Sequence, residues 1–323
     1  MRREKPVESV SGGTGAAEDR AWSSEQSDAI EAAVSKAPSV HNMQPWSLEL
    51  TGRTAILHQR SDQELVRHDP DGRDRRISCG AAVTNLVVVV RAAGWQEEVQ
   101  WAEEEHSGVV AAVTGIRPQE PTEQDALLYR AIERRTSYRK RFSPEGLTES
   151  DRAGLLGAAS SQEVEARWLQ GEQDARVLAR LLDYAARARH GDLRYQRELA
   201  MWTTGSAGEG GSGLRPDALG KTGVPAVGLV SSTTRLPDES RLASWIQAES
   251  ILVLYTPSDD AHGHFRVGEV AERVWLEAVG ADLAASVMTQ PLQLGEVRSA
   301  LVQQLELPGV PHVLMRFGHR GES

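Results

Sequence analysis

A short segment near the start of the chain holds several hydrogen-bonding side chains between two prolines, Pro38 and Pro45. Each proline fixes its own φ angle and favours an extended conformation for the residue before it, so the segment cannot continue a preceding helix. Between the prolines, Ser39, Asn42 and Gln44 supply donors and acceptors whose positions are largely set before a ligand arrives. This pattern predicts a preformed ligand-binding loop. A capped turn that leads into a strand, with the tryptophan after Pro45 as its core anchor, is the simpler alternative.

A second segment with chemical potential is the basic run from Arg134 to Phe142. A phosphomonoester carries a charge of about −1.5 to −2 at neutral pH, and two arginines with nearby hydroxyls match both its charge and its oxygens. The candidate phosphate-binding residues are Arg135, Thr136, Ser137 and Arg139. The alternative is that these cations only complement a helix C-terminus or cover a solvated surface.

Both segments resemble motifs of the nitroreductase family, and especially of its two-repeat, Acg-type branch of flavin-binding proteins. The string Pro-Ser-x-x-Asn-x-Gln-Pro-Trp at residues 38–46 resembles the flavin-contacting loop. Arg135-x-Ser137-x-Arg139 resembles the Arg-x-Ser-x-Arg signature that holds the FMN phosphate, although an alignment shifted by one residue, onto Arg134-Arg135-Thr136, fits equally well. Ser-Cys-Gly-Ala-Ala at residues 78–82 and Pro-His-Val-Leu-Met-Arg-Phe-Gly at residues 311–318 add to the Acg-type resemblance.

The resemblance implies a composite flavin site. The phosphate of FMN is expected at the basic run, on Arg135, Thr136, Ser137 and Arg139. The flavin ring and the ribityl chain are expected against the loop, on Pro38, Ser39, Asn42 and Gln44. Backbone contacts beside the ring are expected from Ala285, Ser286 and Val287, which without the resemblance would be interpreted as a helix C-terminus and turn. Flavin supplies the redox chemistry, so no catalytic acid or base and no metal is predicted.

The implied function is that of an FMN-dependent NAD(P)H oxidoreductase. Such an enzyme takes hydride from the nicotinamide onto flavin N5 and passes electrons to a nitroaromatic, quinone or other conjugated acceptor. The alternative within the same branch is a protein that sequesters FMN and has little reductase activity. A third possibility is a chain that binds no flavin. It is supported by one departure from the family: members usually continue past the glycine that corresponds to Gly318 into an Arg-Arg-Pro-like segment, which this sequence lacks. Arg316 and Arg320 are the candidates to replace those arginines.

The order of the two motifs predicts how the chain is organised. In single-repeat members of the family the arginine motif precedes the loop and each flavin lies between two subunits, whereas here the loop comes first. This order implies two fused repeats, at residues 24–121 and 122–323, that form one composite site in a monomeric pseudo-dimer. The implied fold is α+β, with a central, mainly antiparallel sheet wrapped by helices. Residues 1–23 are expected to be a disordered tail, and the glycine-rich residues 202–225 a mobile lid or partly disordered loop.

Hydrophobic periodicity predicts the main elements. Helices are expected at residues 24–36 with Ser24 as the N-cap, at 76–94, 123–133 and 148–159, at 172–200 with a break near Gly191, and at 266–280 and 296–305. Strands are expected as a hairpin at 46–57 and at 99–102, 109–114, 164–169, 251–256 and 310–318. His262-Gly263-His264 is interpreted as a polar turn before a helix, because no second pair of metal ligands has suitable spacing.

Composition limits the partners and the compartment. The 323 residues carry a net charge of −10 with a pI near 5.5, which argues against nucleic-acid binding. The single cysteine, Cys79, excludes an intramolecular disulfide, fits a reducing cytoplasm and is expected to be a small core residue rather than a nucleophile. The most apolar segment, residues 81–90, is too short to span a bilayer, and the first 20 residues lack the apolar run of a secretory signal. With the resemblance, this leaves a small-molecule electron acceptor as the expected partner.

Overall fold

The computed structural model of the protein describes residues 21–62, 64–102, 108–203, 213–214 and 219–321. Its helices are α1 (Ser24–Ser35), α2 (Arg73–Ala92), α3 (Glu123–Arg134), α4 (Glu149–Ala158), α5 (Gly171–Gly191), α6 (Leu193–Trp202), α7 (Pro225–Gly228), α8 (Glu239–Gln247), α9 (Ala261–Gly280) and α10 (Gly295–Gln304). Its strands are β1 (Trp46–Thr51), β2 (Thr54–Gln59), β3 (Trp95–Trp101), β4 (Val109–Pro118), β5 (Glu165–Trp168), β6 (Ser250–Thr256), β7 (Ala284–Met288) and β8 (Val310–Gly318). None of the helices in these residues is long and apolar enough to cross a membrane.

The strands form two antiparallel four-stranded sheets with the same internal order. The first sheet runs β1-β2-β4-β3 and the second β5-β6-β8-β7. Along the chain, a long helix follows the second strand of each sheet: α2 lies between β2 and β3, and α9 lies between β6 and β7. This repetition confirms the predicted α+β fold of two fused repeats, and the predicted antiparallel sheet takes the form of one sheet per repeat. The boundary between residues 121 and 122 stays a prediction.

Helices α2 and α9 pack against each other at the centre of the molecule, and a glycine from each makes their close approach possible. Both helices have 20 residues, and both glycines, Gly80 and Gly268, are the eighth residue of their helix. A Cβ atom on Gly80 would lie 1.9 Å from the carbonyl oxygen of Phe265, and one on Gly268 would lie 1.9 Å from that of Ile77. Each contact therefore mirrors the other, as in a two-fold axis between identical subunits.

The N-cap of the first helix lies one residue before the predicted N-cap. Ser23, not Ser24, is the N-cap of α1, and it forms a capping box with Gln26. Trp22 is buried and packs edge-on against Trp95, with the ring centroids 6.4 Å apart. The end of the predicted disordered tail therefore belongs to the core, whereas residues 1–20 of that prediction lie outside the described residues. So do residues 204–212 and 215–218 of the predicted lid.

Two segments of the second repeat differ from their predicted structure. His262-Gly263-His264, predicted as a turn, lies in the first turn of α9, because Asp260 caps that helix by accepting a 2.7 Å hydrogen bond from the Gly263 N–H. Residues 284–288, which local sequence favoured as a helix end and turn, form β7. The predicted break of the long helix near Gly191 is confirmed, since Asp192 ends α5 and caps α6.

Cys79 lies on the buried side of α2, where its Sγ–H donates to the carbonyl oxygen of Pro45 at 3.4 Å. Burial raises the pKa of its thiol far above the ordinary value, although Arg75 and Arg76 oppose the shift. We therefore expect Cys79 to be inert to a disulfide reagent such as DTNB in the folded protein, and to react fully after denaturation. Rapid labelling of the native protein, followed by absorbance of the released chromophore, would contradict this placement.

Candidate functional site

A cavity of about 660 Å³ opens between the two repeats. The loop at residues 35–44 and the first turns of α2 form one side. The basic run at 135–139, the middle of α9, β7 and the residues after β7 form the other. The structure thus brings together two motifs that lie almost a hundred residues apart in the sequence. The predicted residues that line this cavity are Pro38, Ser39, Asn42, Gln44, Arg135, Thr136, Ser137, Arg139, Ser286 and Val287.

The loop is held in a conformation that its sequence does not favour. His41, Asn42 and Gln44 have φ angles of 50°, 54° and 51°, in the left-handed region that residues with a side chain rarely adopt. The prediction that the residue before Pro45 is extended is therefore wrong for Gln44. The hydroxyl of Ser39 compensates by accepting a 3.0 Å hydrogen bond from the Gln44 N–H. Strain of this kind persists where surrounding contacts enforce it, and it clusters at functional sites.

Helix α2 anchors the loop through the side chain of Ser78. Ser78 accepts a 3.0 Å hydrogen bond from the N–H of Val40, and its own hydroxyl donates to the carbonyl of Asp74 at 2.6 Å. These bonds hold the loop against helix α2 through contacts within the protein. The prediction of a preformed loop is consistent with this anchoring.

A pair of buried histidines supports the strained part of the loop. His41 Nε2 lies 2.7 Å from His68 Nδ1, and His68 Nε2 lies 3.0 Å from the carbonyl oxygen of Tyr195. A carbonyl only accepts, so His68 carries its proton on Nε2 and accepts at Nδ1 from His41. In this pair of hydrogen bonds both imidazoles are neutral, in agreement with burial, which lowers the pKa of both histidines. His41 therefore acts as a tether for the loop, a role that the sequence did not indicate.

The two arginines of the basic run that line the cavity, Arg135 and Arg139, have different environments. Arg135 Nε lies 3.2 Å from Glu272 Oε1, and its Nη2 donates to the carbonyl of Lys36 at 2.7 Å. The Arg135 guanidinium also stacks on Trp275, 4.6 Å from the ring centroid. Arg139, by contrast, has no carboxylate within ion-pair distance among the described residues, and burial alone lowers its pKa. Of the two arginines of the run that line the cavity, Arg139 is thus the one without an ion-pair partner in the described part of the chain.

The neighbours of the run settle which residues face the cavity. Arg134, part of the shifted alignment, lies outside the cavity lining and pairs with Asp282 at the surface. Ser137 forms a parallel bridge with Ala285, whose carbonyl also accepts a 2.9 Å hydrogen bond from the Tyr138 N–H. Ala285 therefore lies behind the cavity wall and holds the run in place, instead of lining the cavity as Ser286 and Val287 do.

The two arginines considered as substitutes for the C-terminal segment also differ. Arg316 is fully buried and is paired with Glu249 through bonds of 2.5 and 2.7 Å, so it has no capacity for a phosphate. Arg320 Nη2 donates to Thr136 Oγ1 at 3.3 Å, at the edge of the basic run. Only Arg320 is placed to add positive charge near the run.

Glu272 is the cavity residue that sequence reasoning missed most clearly. Its side chain is completely buried and lines the cavity. The 3.2 Å contact with Arg135 Nε lacks hydrogen-bond geometry, so neither carboxylate oxygen accepts a hydrogen bond among the described residues. Burial raises the pKa of Glu272 to about 8, with the charge of Arg135 opposing the shift. The sequence places Glu272 one helical turn after Gly268 on α9, but no sequence pattern indicated that this face of the helix lines a cavity.

Glu272→Gln is expected to flatten the dependence of stability on pH. Because the folded-state pKa of about 8 lies above the ordinary value of 4.5, the folded protein holds this proton more tightly than the unfolded chain. The stabilisation is complete below the ordinary pKa and is lost as the pH rises through the folded-state pKa. The midpoint of thermal unfolding should therefore fall less in the variant than in the wild type between about pH 5.5 and about pH 7.5. An identical fall in both proteins would show that Glu272 does not titrate in this range.

A second cluster of ligand-type side chains, Asp259, His264 and His312, lies away from the cavity. His264 is already satisfied on both nitrogens, since Nε2 lies 2.8 Å from Asp259 Oδ1 and Nδ1 accepts from Arg76 Nε at 3.1 Å. The other oxygen of Asp259 accepts from Arg298 at 2.6 Å. A metal ion would displace these bonds and lie beside two guanidinium groups, so the bonds of His264 and Asp259 argue against a metal site here.

Comparison with known proteins places the chain. No family model matches it. It is 30% identical over 286 residues to "Putative NAD(P)H nitroreductase Rv3131" of Mycobacterium tuberculosis, covering 88% of this chain and 82% of the relative. It is 26% identical over 302 residues to "Putative NAD(P)H nitroreductase acg" of the same organism, covering 90% and 89%. A solved structure, the FMN-dependent nitroreductase NfnB of Mycobacterium smegmatis, aligns with a TM-score of 0.40 at 14% identity, covering 61% of this chain and 89% of that one. Because the first relative is 30% identical over most of both chains, this chain belongs to the nitroreductase family.

Proposed function

We propose that the protein is an FMN-dependent NAD(P)H oxidoreductase whose cavity holds one flavin between its two repeats. The observation that carries the proposal is Arg139, a largely buried cation that lines the cavity and has no countercharge in the described part of the chain. In an acidic protein a site of this kind favours an anionic ligand group. The names of the relatives, NAD(P)H nitroreductases, agree with this chemistry.

The residues present fit a flavin mononucleotide. Arg139 supplies a guanidinium for the phosphate, and the hydroxyls of Thr136 and Ser137 lie beside it on the same cavity wall. Arg135 is already bound to Glu272 and Lys36, so we assign it to fixing the end of α3 and the start of the run. Phosphate binding therefore rests chiefly on Arg139.

The remaining lining suits a planar ring and a polyol. Pro38, Ser39, Asn42 and Gln44 form one wall of the cavity, and their conformation is set by the bonds to α2 and within the loop. On the opposite wall the outer edge of β7 meets the basic run at Ala285, whereas Ser286 is directed towards its partner Arg316 in β8. Residues two apart in a strand face the same edge, so the backbone of Val287 is the part of β7 that is available to a ligand. A preformed site of this kind binds without a large ordering cost.

Bound FMN supplies hydride and electron transfer between NAD(P)H and a nitroaromatic, quinone or other conjugated acceptor. The chain's own contribution is to bind and orient the ring and to keep the cavity walls fixed. Both walls come from a single chain, so we propose that a monomer is sufficient to bind the cofactor. A light-scattering mass of one chain per flavin-loaded particle would support this assignment.

The deciding experiment is an anaerobic visible spectrum of the purified protein, recorded before and after NADPH and then NADH are added. A yellow protein that bleaches supports the oxidoreductase and allows a screen of acceptors. A yellow protein that bleaches only with dithionite indicates a protein that sequesters FMN. A colourless protein that cannot be reconstituted with FMN contradicts the proposal.

A further inference from the structure

A second cavity of about 750 Å³ lies on the other side of helix α7 from the first. We call it the basic cleft, because four cationic residues line it, Arg141, Lys221, Arg235 and Arg241. Among the described residues that line it there is no aspartate or glutamate. Such a concentration of one sign of charge is unexpected in a chain with a net charge of −10.

Two cations of the basic cleft are held near each other by one aromatic ring. Arg141 and Arg241 both stack on Trp245, with their guanidinium carbons 4.7 and 5.1 Å from the ring centroid. No ion pair to any of the four cations is found in the described part of the chain. Mutual repulsion of like charges opposes this arrangement unless an anion joins them. The stacked guanidiniums are also oriented, which favours fork-like hydrogen bonding to phosphate oxygens.

The cleft also offers neutral hydrogen-bonding groups of the kind that phosphate oxygens accept. Ser231, Thr233 and Thr234 line it in an ordered turn, in which the Ser231 N–H donates to Thr234 Oγ1 at 2.9 Å. On the facing side, Gly223 has a φ angle of 77°, and the side chain of Arg141 packs against it, 3.5 Å from where a Cβ would lie. Cations and hydroxyls together make a site for a phosphomonoester.

The position of the cleft identifies which phosphate it would receive. Pro225 and Gly228 of α7 line the first cavity, whereas Ala226 of the same helix lines the basic cleft, so one short helix separates the two. The nicotinamide end of a dinucleotide must reach the first cavity for hydride transfer, and its adenosine end extends away from it. We propose that the basic cleft binds the 2′-phosphate of NADPH and gives the protein a preference for NADPH over NADH. This inference rests on the proposed function.

The test is calorimetric titration of the flavin-loaded protein with adenosine 2′,5′-bisphosphate, with 5′-AMP and with inorganic phosphate. The variant is Lys221→Glu combined with Arg235→Glu, which reverses two cleft charges and leaves the stacked Arg141 and Arg241 in place. The matched control is Arg130→Glu combined with Arg194→Glu, which makes the same change of net charge at exposed positions outside both cavities. The bisphosphate should bind the cleft variant at least about tenfold more weakly and the control almost unchanged.

Steady-state kinetics give the second reading. The cleft variant should raise KM for NADPH by a similar factor and leave KM for NADH and the flavin content unchanged. If the control variant lowers the affinity for the bisphosphate as much as the cleft variant does, the effect is one of overall charge and the proposal is overturned. Inorganic phosphate binding as tightly as the bisphosphate would reduce the cleft to a general anion site and overturn it as well. A protein without flavin would contradict the proposed function, and the bisphosphate titration would still decide whether the cleft binds this phosphate.

Discussion

Arg139→Ala is expected to yield a folded protein that has lost most of its affinity for FMN. A hydrogen bond to a charged group contributes about 1.5–3 kcal/mol, so the Kd for FMN should rise by roughly 10- to 100-fold. Arg139 is partly dehydrated and has no countercharge among the described residues, so its removal also relieves an unfavourable burial. The apoprotein should therefore unfold at the same temperature as the wild-type apoprotein or at a higher one. Quenching of FMN fluorescence on titration of the apoprotein measures the affinity.

Two matched variants separate charge from geometry at this site. Arg139→Lys keeps the charge but loses the planar fork, so it should restore only part of the affinity. Arg130→Ala removes an exposed cation from α3 and should leave flavin binding unchanged. Arg135→Ala is a less clean test, because it also removes the hydrogen bond to the Lys36 carbonyl and the stacking on Trp275, and it should lower stability as well. Full flavin retention in Arg139→Ala would remove the phosphate assignment.

Gly268→Ala is expected to destabilise the core strongly. The added Cβ would lie 1.9 Å from the carbonyl oxygen of Ile77, a backbone atom that cannot rotate away. Helices α2 and α9 would have to separate, and both carry cavity residues. Overpacking of this kind costs roughly 2–3 kcal/mol, which corresponds to a fall of about 3–5 °C in Tm for a chain of this size. Differential scanning calorimetry of the purified protein measures the change.

Gly154→Ala is the control for this prediction. Gly154 lies exposed within α4, and a Cβ there would meet no atom within 4 Å. Alanine favours a helix over glycine by about 1 kcal/mol, so this variant should be as stable as the wild type or slightly more stable. Equal Tm values for Gly268→Ala and wild type would show that the two central helices are not packed as closely as the structure has them.

The sequence predicted the parts of the site that are local in the chain. The loop at residues 38–46 and the run at 135–139 carry their own patterns of proline, amide, hydroxyl and arginine, and the structure places both around one cavity. The two-repeat fold followed from the order of these motifs through a family resemblance. Sequence spacing alone would not have brought them together.

The parts that were missed depend on contacts between distant residues. Glu272 and Trp275 face the cavity only because α9 crosses α2 at Gly268, and a helical pattern does not reveal its partner. The commitment of Arg135 to Glu272 could not be read from the run itself. Gln44 has a left-handed φ angle against the preference set by Pro45, because the Ser39 hydroxyl and the α2 anchor outweigh a local tendency.

The mirrored crossing of α2 and α9 shows how a fused chain departs from a symmetric dimer. Ser78, two residues before Gly80, and Ala81, one residue after it, have small side chains that line the cavity. The same steps around Gly268 lead to Arg266 and Glu269, which pair with each other at 2.5 Å, and Arg266 stacks on Trp101 at 4.9 Å.

In a homodimer both positions are encoded once, so a bulky residue on one side of the axis would also appear on the other. Joining the two copies in one polypeptide removes that constraint. In this chain one side of the pseudo-two-fold axis carries packing and ion pairs, while the other leaves the space that lines the cavity.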